Sequence, residues 1–225
     1  SFFVDPWHRP RIGLRLGEDG TSYWHRVDQR GDNPWVAIPP GDALSTRPLE
    51  LDADGSLLYL ADSRQRDTAA LTSLGLESGT LKTLFANPDA DLSDVLFHPV
   101  LHRPQAAAAT FARKGWEILD QELAPDFQRW ILRETLDDKP PAWFLYERRT
   151  ANLQRLGYET AQLADVPLAR MFPAVIPSRD DRTLVSYYSL PPGSDSKRAG
   201  VPDRPLPLVL KPHGGPWHRD FWGYQ

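Results

Sequence analysis

Short apolar runs bounded by turn-forming residues constrain this chain more than any other feature. They are long enough for strands and too short for stable helices. Leu57-Leu58-Tyr59-Leu60 follows Asp52-Ala53-Asp54-Gly55, where Asp-Gly supplies the left-handed positions of a tight turn. Ala70-Leu71-Thr72-Ser73-Leu74-Gly75-Leu76 turns at Glu77-Ser78-Gly79 and returns as Leu81-Lys82-Thr83-Leu84-Phe85, which reads as a hairpin. Further strands are expected at 106–112, 116–119 and 143–147. Phe144-Leu145-Tyr146-Glu147, a polar turn and Leu153-Gln154-Arg155-Leu156 repeat the order of the hairpin. Asn152 takes the place of Gly79, and Asn is the residue that best replaces Gly in a left-handed conformation. The echo suits the blades of a β-propeller, although its spacing is shorter than two blades of about 40–50 residues require. Two unrelated hairpins of a β-sandwich would leave the same pattern.

One segment breaks the strand pattern. Pro125 is allowed in the first turn of a helix, and Phe127, Trp130 and Ile131 fall on one helical face, so a short helix is expected over 125–136, ended by Pro140-Pro141. Near residue 160 the character changes. A connector over 161–171 leads to three expected strands at 172–177, 183–190 and 206–211. Arg179-Asp180-Asp181-Arg182 joins the first two as a hairpin, and the polar loop 191–200 precedes the third.

The balance of 40% apolar and 25% charged residues suits a soluble globular protein of one or two domains. A net charge of −4 gives no basic patch for nucleic acid or an anionic membrane surface. No apolar run is long enough to span a bilayer, and the opening Ser1-Phe2-Phe3-Val4-Asp5-Pro6 lacks the pattern of a signal peptide. The absence of cysteine excludes disulfides and thiolate catalysis. It suits a reducing cytosol and is compatible with the periplasm. The chain opens in an apparent strand without Met and stops at Gly223-Tyr224-Gln225, so both ends are expected to lie inside a longer protein.

The segment that carries chemistry is Pro212-His213-Gly214-Gly215-Pro216-Trp217, directly after the third expected strand. Paired glycines at a strand end let the backbone turn sharply and approach a ligand. In α/β-hydrolases a His-Gly-Gly loop after this strand donates a backbone N–H to the oxyanion that develops in acyl transfer. An ordinary Gly-rich turn is the alternative on those residues alone.

The wider context carries a resemblance. Phe172-Pro173-Ala174-Val175-Ile176-Pro177-Ser178-Arg179-Asp180, Leu184-Val185-Ser186-Tyr187-Tyr188-Ser189-Leu190-Pro191-Pro192-Gly193, Pro205-Leu206-Pro207-Leu208-Val209-Leu210 and His213-Gly214-Gly215-Pro216-Trp217 resemble the entry to the hydrolase domain of the prolyl oligopeptidase family of serine peptidases. The likeness is to its acylaminoacyl-peptidase and dipeptidyl-aminopeptidase-like branch. Upstream, Leu51-Asp52-Ala53-Asp54-Gly55, Asp62-Ser63-Arg64 and Leu145-Tyr146-Glu147-Arg148 resemble that family's propeller. The resemblance implies a mainly β fold: the C-terminal blades of a β-propeller over 1–160, followed by the first strands of an α/β-hydrolase domain over 161–225. It implies peptide substrates, no cofactor and no metal, and a mechanism of serine nucleophile, histidine base and orienting aspartate. No serine here lies in Gly-x-Ser-x-Gly, so those three residues are expected beyond residue 225. Gly215 is then the expected N–H donor, Gly214 supplies the turn, and His213 braces the loop. Three features depart from the family pattern. Lys211-Pro212 stands where apolar strand residues are expected, the blades are shortened near residues 137–143, and Asp181 stands where glycine is usual.

Other constellations read as structural. His98 and His102 flank Pro99 and lack a third ligand. His213 and His218 flank the glycine pair. Asp89, Asp91 and Asp94 lack the glycine and glutamate of an EF-hand loop. Glu117, Glu122 and Glu134 suit a solvated face. Two other functions use parts of the same pattern: a carboxylesterase or lipase with the His-Gly-Gly loop, and a non-catalytic propeller that binds a partner. Nothing in the sequence speaks to oligomeric state.

Overall fold

The computed structural model describes residues 1–28, 35–120, 128–215 and 218–224. The chain is mainly β and divides into two compact units, Ser1–Leu123 and Ala124–Gln225. This division falls inside the stretch assigned to the propeller from sequence, upstream of the change in character near residue 160.

The first unit holds three antiparallel sheets in which sequence neighbours pair. The first sheet runs β1 (Phe2–Val4), β2 (Pro10–Leu16), β3 (Ser22–Arg26) and β4 (Val36–Ile38). The second runs β5 (Arg47–Leu51), β6 (Leu57–Asp62), β7 (Ala70–Gly75) and β8 (Leu81–Phe85). The third is β9 (Leu92–Phe97), β10 (Pro104–Thr110) and β11 (Lys114–Ile118), with β10 in the centre. A four-stranded meander is the make-up of a propeller blade.

The second sheet is buried on both faces, and the alternation of side chains along a strand explains how. Leu58 and Leu60 of β6, with Leu51 and Leu74, pack with Ile12, Trp24 and Ile38 of the first sheet. Tyr59 between them faces the other way and joins Leu71, Phe85, Ala107 and Ala109, the last two from the third sheet. Register fixes this split, since Leu58 pairs with Leu74 and Tyr59 with Ser73. A strand covered on both sides reads as a continuous apolar run, as 57–61 does. Full burial of Leu58 and Leu60 is worth about 1.5–3 kcal/mol each.

The expected turns form here. Gly55 and Gly79 adopt φ of 68° and 67°. The Asp52 carboxylate accepts the amides of Ser56 and Leu57 at 2.7 and 3.0 Å and the Ser56 hydroxyl at 2.9 Å, which ties the turn before β6. The turn between β1 and β2 is tied in the same manner by Asp5, which accepts the amides of Trp7 and Arg9, both at 3.0 Å, and Arg9 Nε at 2.9 Å. Burial alone would push the Asp5 carboxyl up, but the Arg9 and Trp7 hydrogen bonds and the Arg9 charge outweigh it and hold it below the usual carboxylate range.

The second unit contains the sheet β12 (Arg129–Glu134), β13 (Ala142–Glu147) and β14 (Asn152–Tyr158), a 3-10 turn at Ala161–Leu163, and the hairpin of β15 (Met171–Pro177) and β16 (Thr183–Ser189). Three expectations need correction. Pro125 and Phe127 lie outside the described residues, and where a helix was expected, 129–134 is a strand paired residue for residue with β13. The helical spacing there covered little more than one turn, and isolated helices that short are unstable. Trp130, Ile131 and Leu132 suit a pleated surface, and Trp130 faces Tyr146 with ring centroids 6.1 Å apart. The left-handed residue of the β13–β14 hairpin is Ala151, with φ of 52°, rather than Asn152. Asn152 is already paired with Glu147, which leaves 148–151 as the loop. Finally, 206–211 forms no strand. Leu208, Val209 and Leu210 are 88%, 87% and 85% exposed, and a strand cannot persist without a neighbour to take its backbone hydrogen bonds.

Among the described residues no helix is long and apolar enough to cross a membrane.

Candidate functional site

The β15–β16 hairpin leads to the candidate segment. All of Met171–Pro177 pairs with Thr183–Ser189, from Met171 opposite Ser189 to Pro177 opposite Thr183. The turn between them closes where Ser178 N donates to the Arg182 carbonyl at 2.8 Å, with Asp181 at φ of 59°. That is the position where the sequence departs from the family's glycine, and Asp is among the few residues that tolerate it. The Ser178 hydroxyl donates to Asp180, and this bond, with the nearby backbone amides and Arg182, holds the Asp180 carboxyl below its usual range.

Beyond the hairpin, loop 191–200 is polar as expected and tightly tied. Asp195 accepts the amides of Ala199 and Gly200 at 3.1 and 2.7 Å. Asp203 accepts the Ser196 amide and hydroxyl at 3.0 and 2.8 Å. The chain then runs exposed through 207–215. His213 Nδ1 lies 2.7 Å from the Gly214 carbonyl oxygen, so the tautomer protonated at Nδ1 donates to it. The His213 ring meets that of His218 edge-on, with centroids 5.5 Å apart and planes at 71°. Gly214 is exposed and not among the positive-φ glycines, and among the described residues no atom beyond its chain neighbours lies within 4 Å of where a Cβ would stand. Within this unit, then, neither crowding nor backbone angle demands glycine at 214. Gly215 is likewise exposed. Pro216 and Trp217 lie outside the described residues.

The remaining sequence candidates have local roles. His98 Nδ1 accepts the amides of Val100 and Leu101, both at 3.1 Å, and His102 Nδ1 lies 3.5 Å from Glu50. Asp91 accepts the Ala69 amide at 2.7 Å, and Asp94 pairs with Lys114 at 3.1 Å. Glu117 and Glu134 are exposed, and Glu122 lies outside the described residues.

The sequence reading missed a cluster at the base of the hairpin. Phe172 and Tyr188 pair across the strands and stack, with centroids 5.4 Å apart and planes at 23°. The Arg170 guanidinium sits over the Phe172 ring at 5.6 Å, and the Tyr188 hydroxyl donates to the Gly200 carbonyl at 2.8 Å. The period of two that puts residues 170 and 172 on one face was available in the sequence. The closing contact with Gly200 was not. Backbone ties hold the surrounding segments: Met171 N donates to Asp137 at 2.9 Å, Trp222 Nε1 to the Met171 carbonyl at 2.9 Å, and Tyr224 N to the Leu136 carbonyl at 2.8 Å.

No protein-family model matches the chain. Over 231 residues it is 34% identical to dipeptidyl aminopeptidase BIII of Pseudoxanthomonas mexicana, covering 94% of this chain and 32% of that protein. Over 268 residues it is 23% identical to dipeptidyl peptidase family member 6 of Caenorhabditis elegans, covering 99% of this chain and 36% of that protein. The chain therefore spans about a third of the length of the curated relatives it matches. Among solved structures, a puromycin-hydrolysing peptidase of Mycobacterium tuberculosis matches 74% of this chain and 28% of its own, with a TM-score of 0.48 and 14% identity.

Proposed function

This chain is a relative of dipeptidyl peptidases with a likeness to the prolyl oligopeptidase family, and from that premise we propose that it forms part of a serine peptidase that hydrolyses short peptides. The observation that carries the reading is the 34% identity to a dipeptidyl aminopeptidase across 94% of the chain. The meander sheets of the first unit, with β12–β14, serve as propeller blades. The β15–β16 hairpin and the segment after it serve as the entry to an α/β-hydrolase domain. Gly215 donates its N–H to the oxyanion of the tetrahedral intermediate, Gly214 keeps the approach open, and His213 braces the loop through its bond to the Gly214 carbonyl. The nucleophile, its base and the orienting aspartate are supplied by sequence outside these 225 residues, because no serine here lies in a Gly-x-Ser-x-Gly elbow.

The test is made on the protein in its full reading frame, with a fluorophosphonate probe and fluorogenic dipeptidyl substrates. Labelling and hydrolysis are expected. Replacing Gly215 by Pro, which removes the amide hydrogen, should lower kcat about 10²–10³-fold. A folded protein that neither labels nor cleaves overturns the proposal.

A further inference from the structure

We propose that the turn joining β9 to β10 is a pH-sensitive latch between the second and third sheets of the first unit, released when His98 takes up a proton. The inference does not rest on the peptidase reading.

Two turns of this unit share one design and differ in one atom type. Asn87-Pro88-Asp89-Ala90 and His98-Pro99-Val100-Leu101 each place proline directly after a side-chain acceptor. In the first, Asn87 Oδ1 accepts the amides of Asp89 and Ala90 at 2.9 and 3.1 Å. In the second, His98 Nδ1 accepts the amides at the same two offsets, those of Val100 and Leu101, both at 3.1 Å. A side-chain amide oxygen keeps its lone pairs at every pH, whereas an imidazole nitrogen accepts only while the ring is neutral. The two bonds therefore select the neutral tautomer with its hydrogen on Nε2. A proton added at Nδ1 turns the acceptor into a donor that faces two further donors, and both bonds are lost.

The loss matters because of what the turn holds. His102 N donates to the His98 carbonyl and His98 N to the Arg103 carbonyl, both at 2.8 Å. From the middle of the turn the Leu101 carbonyl accepts the Ala53 amide at 3.1 Å. Ala53 lies in the β5–β6 turn, so this bond joins the second sheet to the third. His102 leaves the turn with φ of 53°, a left-handed backbone that its surroundings must hold. The other charged and titratable groups on the elements that meet here are His102 and Arg103 in the turn itself, Glu50 on β5, Asp52 and Asp54 before β6, and Tyr59 on β6. His102 Nδ1 lies 3.5 Å from Glu50, so a proton on His102 strengthens that pair and tightens the turn. The two histidines thus act in opposite directions on acidification, and only His98 opens the turn. Asp52 is committed to the Ser56 and Leu57 amides. The Tyr59 hydroxyl, pushed up by burial and by Asp52, stays neutral throughout.

The test follows amide hydrogen exchange of the full chain by NMR, expressed as protection so that the intrinsic pH dependence of exchange divides out. The range runs from about pH 8 to about pH 5.5, where imidazoles in general take up a proton and carboxylates in general stay ionised. The Val100, Leu101 and Ala53 amides are expected to lose protection together, by about 10-fold or more, while those of Asp89 and Ala90 keep theirs. His98→Asn gives this turn the acceptor of its twin, and should keep Val100 and Leu101 protected while abolishing the pH step. His102→Asn, which tolerates the left-handed backbone, should leave the step in place. If His98→Asn does not fold, the contrast between the two wild-type turns decides alone. Protection at Val100 and Leu101 that stays flat, an equal loss at Asp89 and Ala90, or a step that survives His98→Asn or vanishes in His102→Asn overturns the proposal.

Discussion

Leu58-Tyr59-Leu60 and Leu208-Val209-Leu210 are apolar triplets of almost equal character, and they meet opposite fates. The first is 0%, 3% and 0% exposed, and the second is 88%, 87% and 85% exposed. The difference lies in their neighbours. Leu58–Leu60 has β5 on one side and β7 on the other, with a sheet packed on each face. Leu208–Leu210 pairs with nothing among the described residues. The same contrast separates the two units. The first has a core of large side chains around Trp24, Ile12, Leu51 and Leu71. In the second, the described buried residues are Pro140, Pro141, Ala142, Gly200 and Gly223, none of them a large apolar side chain. Apolar pattern states what a segment can do, whereas a strand exists only where the rest of the chain supplies its hydrogen-bond partners and a face to bury.

The largest test of that contrast is a pair of truncations. Leu58→Ala removes a fully buried side chain from between two sheets and should cost about 2–5 kcal/mol. Val209→Ala removes a side chain that touches water on nearly every side and should stay within about 0.5 kcal/mol. Urea denaturation of the full chain followed by tryptophan fluorescence measures both. A Val209→Ala cost close to that of Leu58→Ala would break the comparison, since it would mean that 208–210 is buried in solution.

How much of this was legible in the sequence follows the same line. The β6 strand, the β7–β8 hairpin and the glycines at 55 and 79 were readable because turn chemistry and pairing partner lie within a few residues of each other. The β15–β16 hairpin was readable for the same reason, down to the odd Asp181. The strand at 129–134 was not, because its local spacing mimics a helical turn and its partner, β13, lies beyond Pro140-Pro141. The αL position moved from Asn152 to Ala151 because register, set by Glu147 opposite Asn152, outranks residue preference. At the candidate site, the His213-Gly214-Gly215 motif was legible as sequence. The cluster of Arg170, Phe172, Tyr188 and Gly200 was not, because it is assembled by a loop whose hydrogen bonds have no sequence signature of that spacing.

A second test carries the comparison into the backbone. Gly79 in the first unit and Gly200 in the second both have positive φ, 67° and 76°. At Gly79 a Cβ meets nothing within 4 Å, so Gly79→Ala should cost only the conformational term of about 1–2 kcal/mol. At Gly200 the same Cβ stands under 3 Å from Tyr188 and Phe172, so Gly200→Ala adds an overpacking cost of about 1–3 kcal/mol. Thermal unfolding of the two variants under one set of conditions ranks them. Equal losses would show that the second unit gives way around Gly200 rather than resisting.

The smallest effect concerns what holds an exposed sheet in place of a core. On β12, Arg133 donates from Nε and Nη2 to the two oxygens of Glu159 at 2.6 and 3.1 Å, with its guanidinium 6.0 Å from the Trp143 ring centroid. The Arg133 hydrogen bonds, opposed by desolvation and helped by the Arg133 charge and the Trp143 hydrogen bond, hold the Glu159 carboxyl below its usual value of 4.5. Because the folded-state value is the lower one, the pair's contribution is present above about pH 4.5, the unfolded value, and is lost as the pH falls through the folded value. Comparing wild type with Glu159→Gln from pH 7 down to pH 3 should therefore give a stability gap that closes on acidification. The gap should also shrink in high salt, as expected of a solvent-facing pair. A gap that widens as the pH falls would reverse the sign of the linkage, and the Arg133–Glu159 pair would then not be what holds this sheet edge.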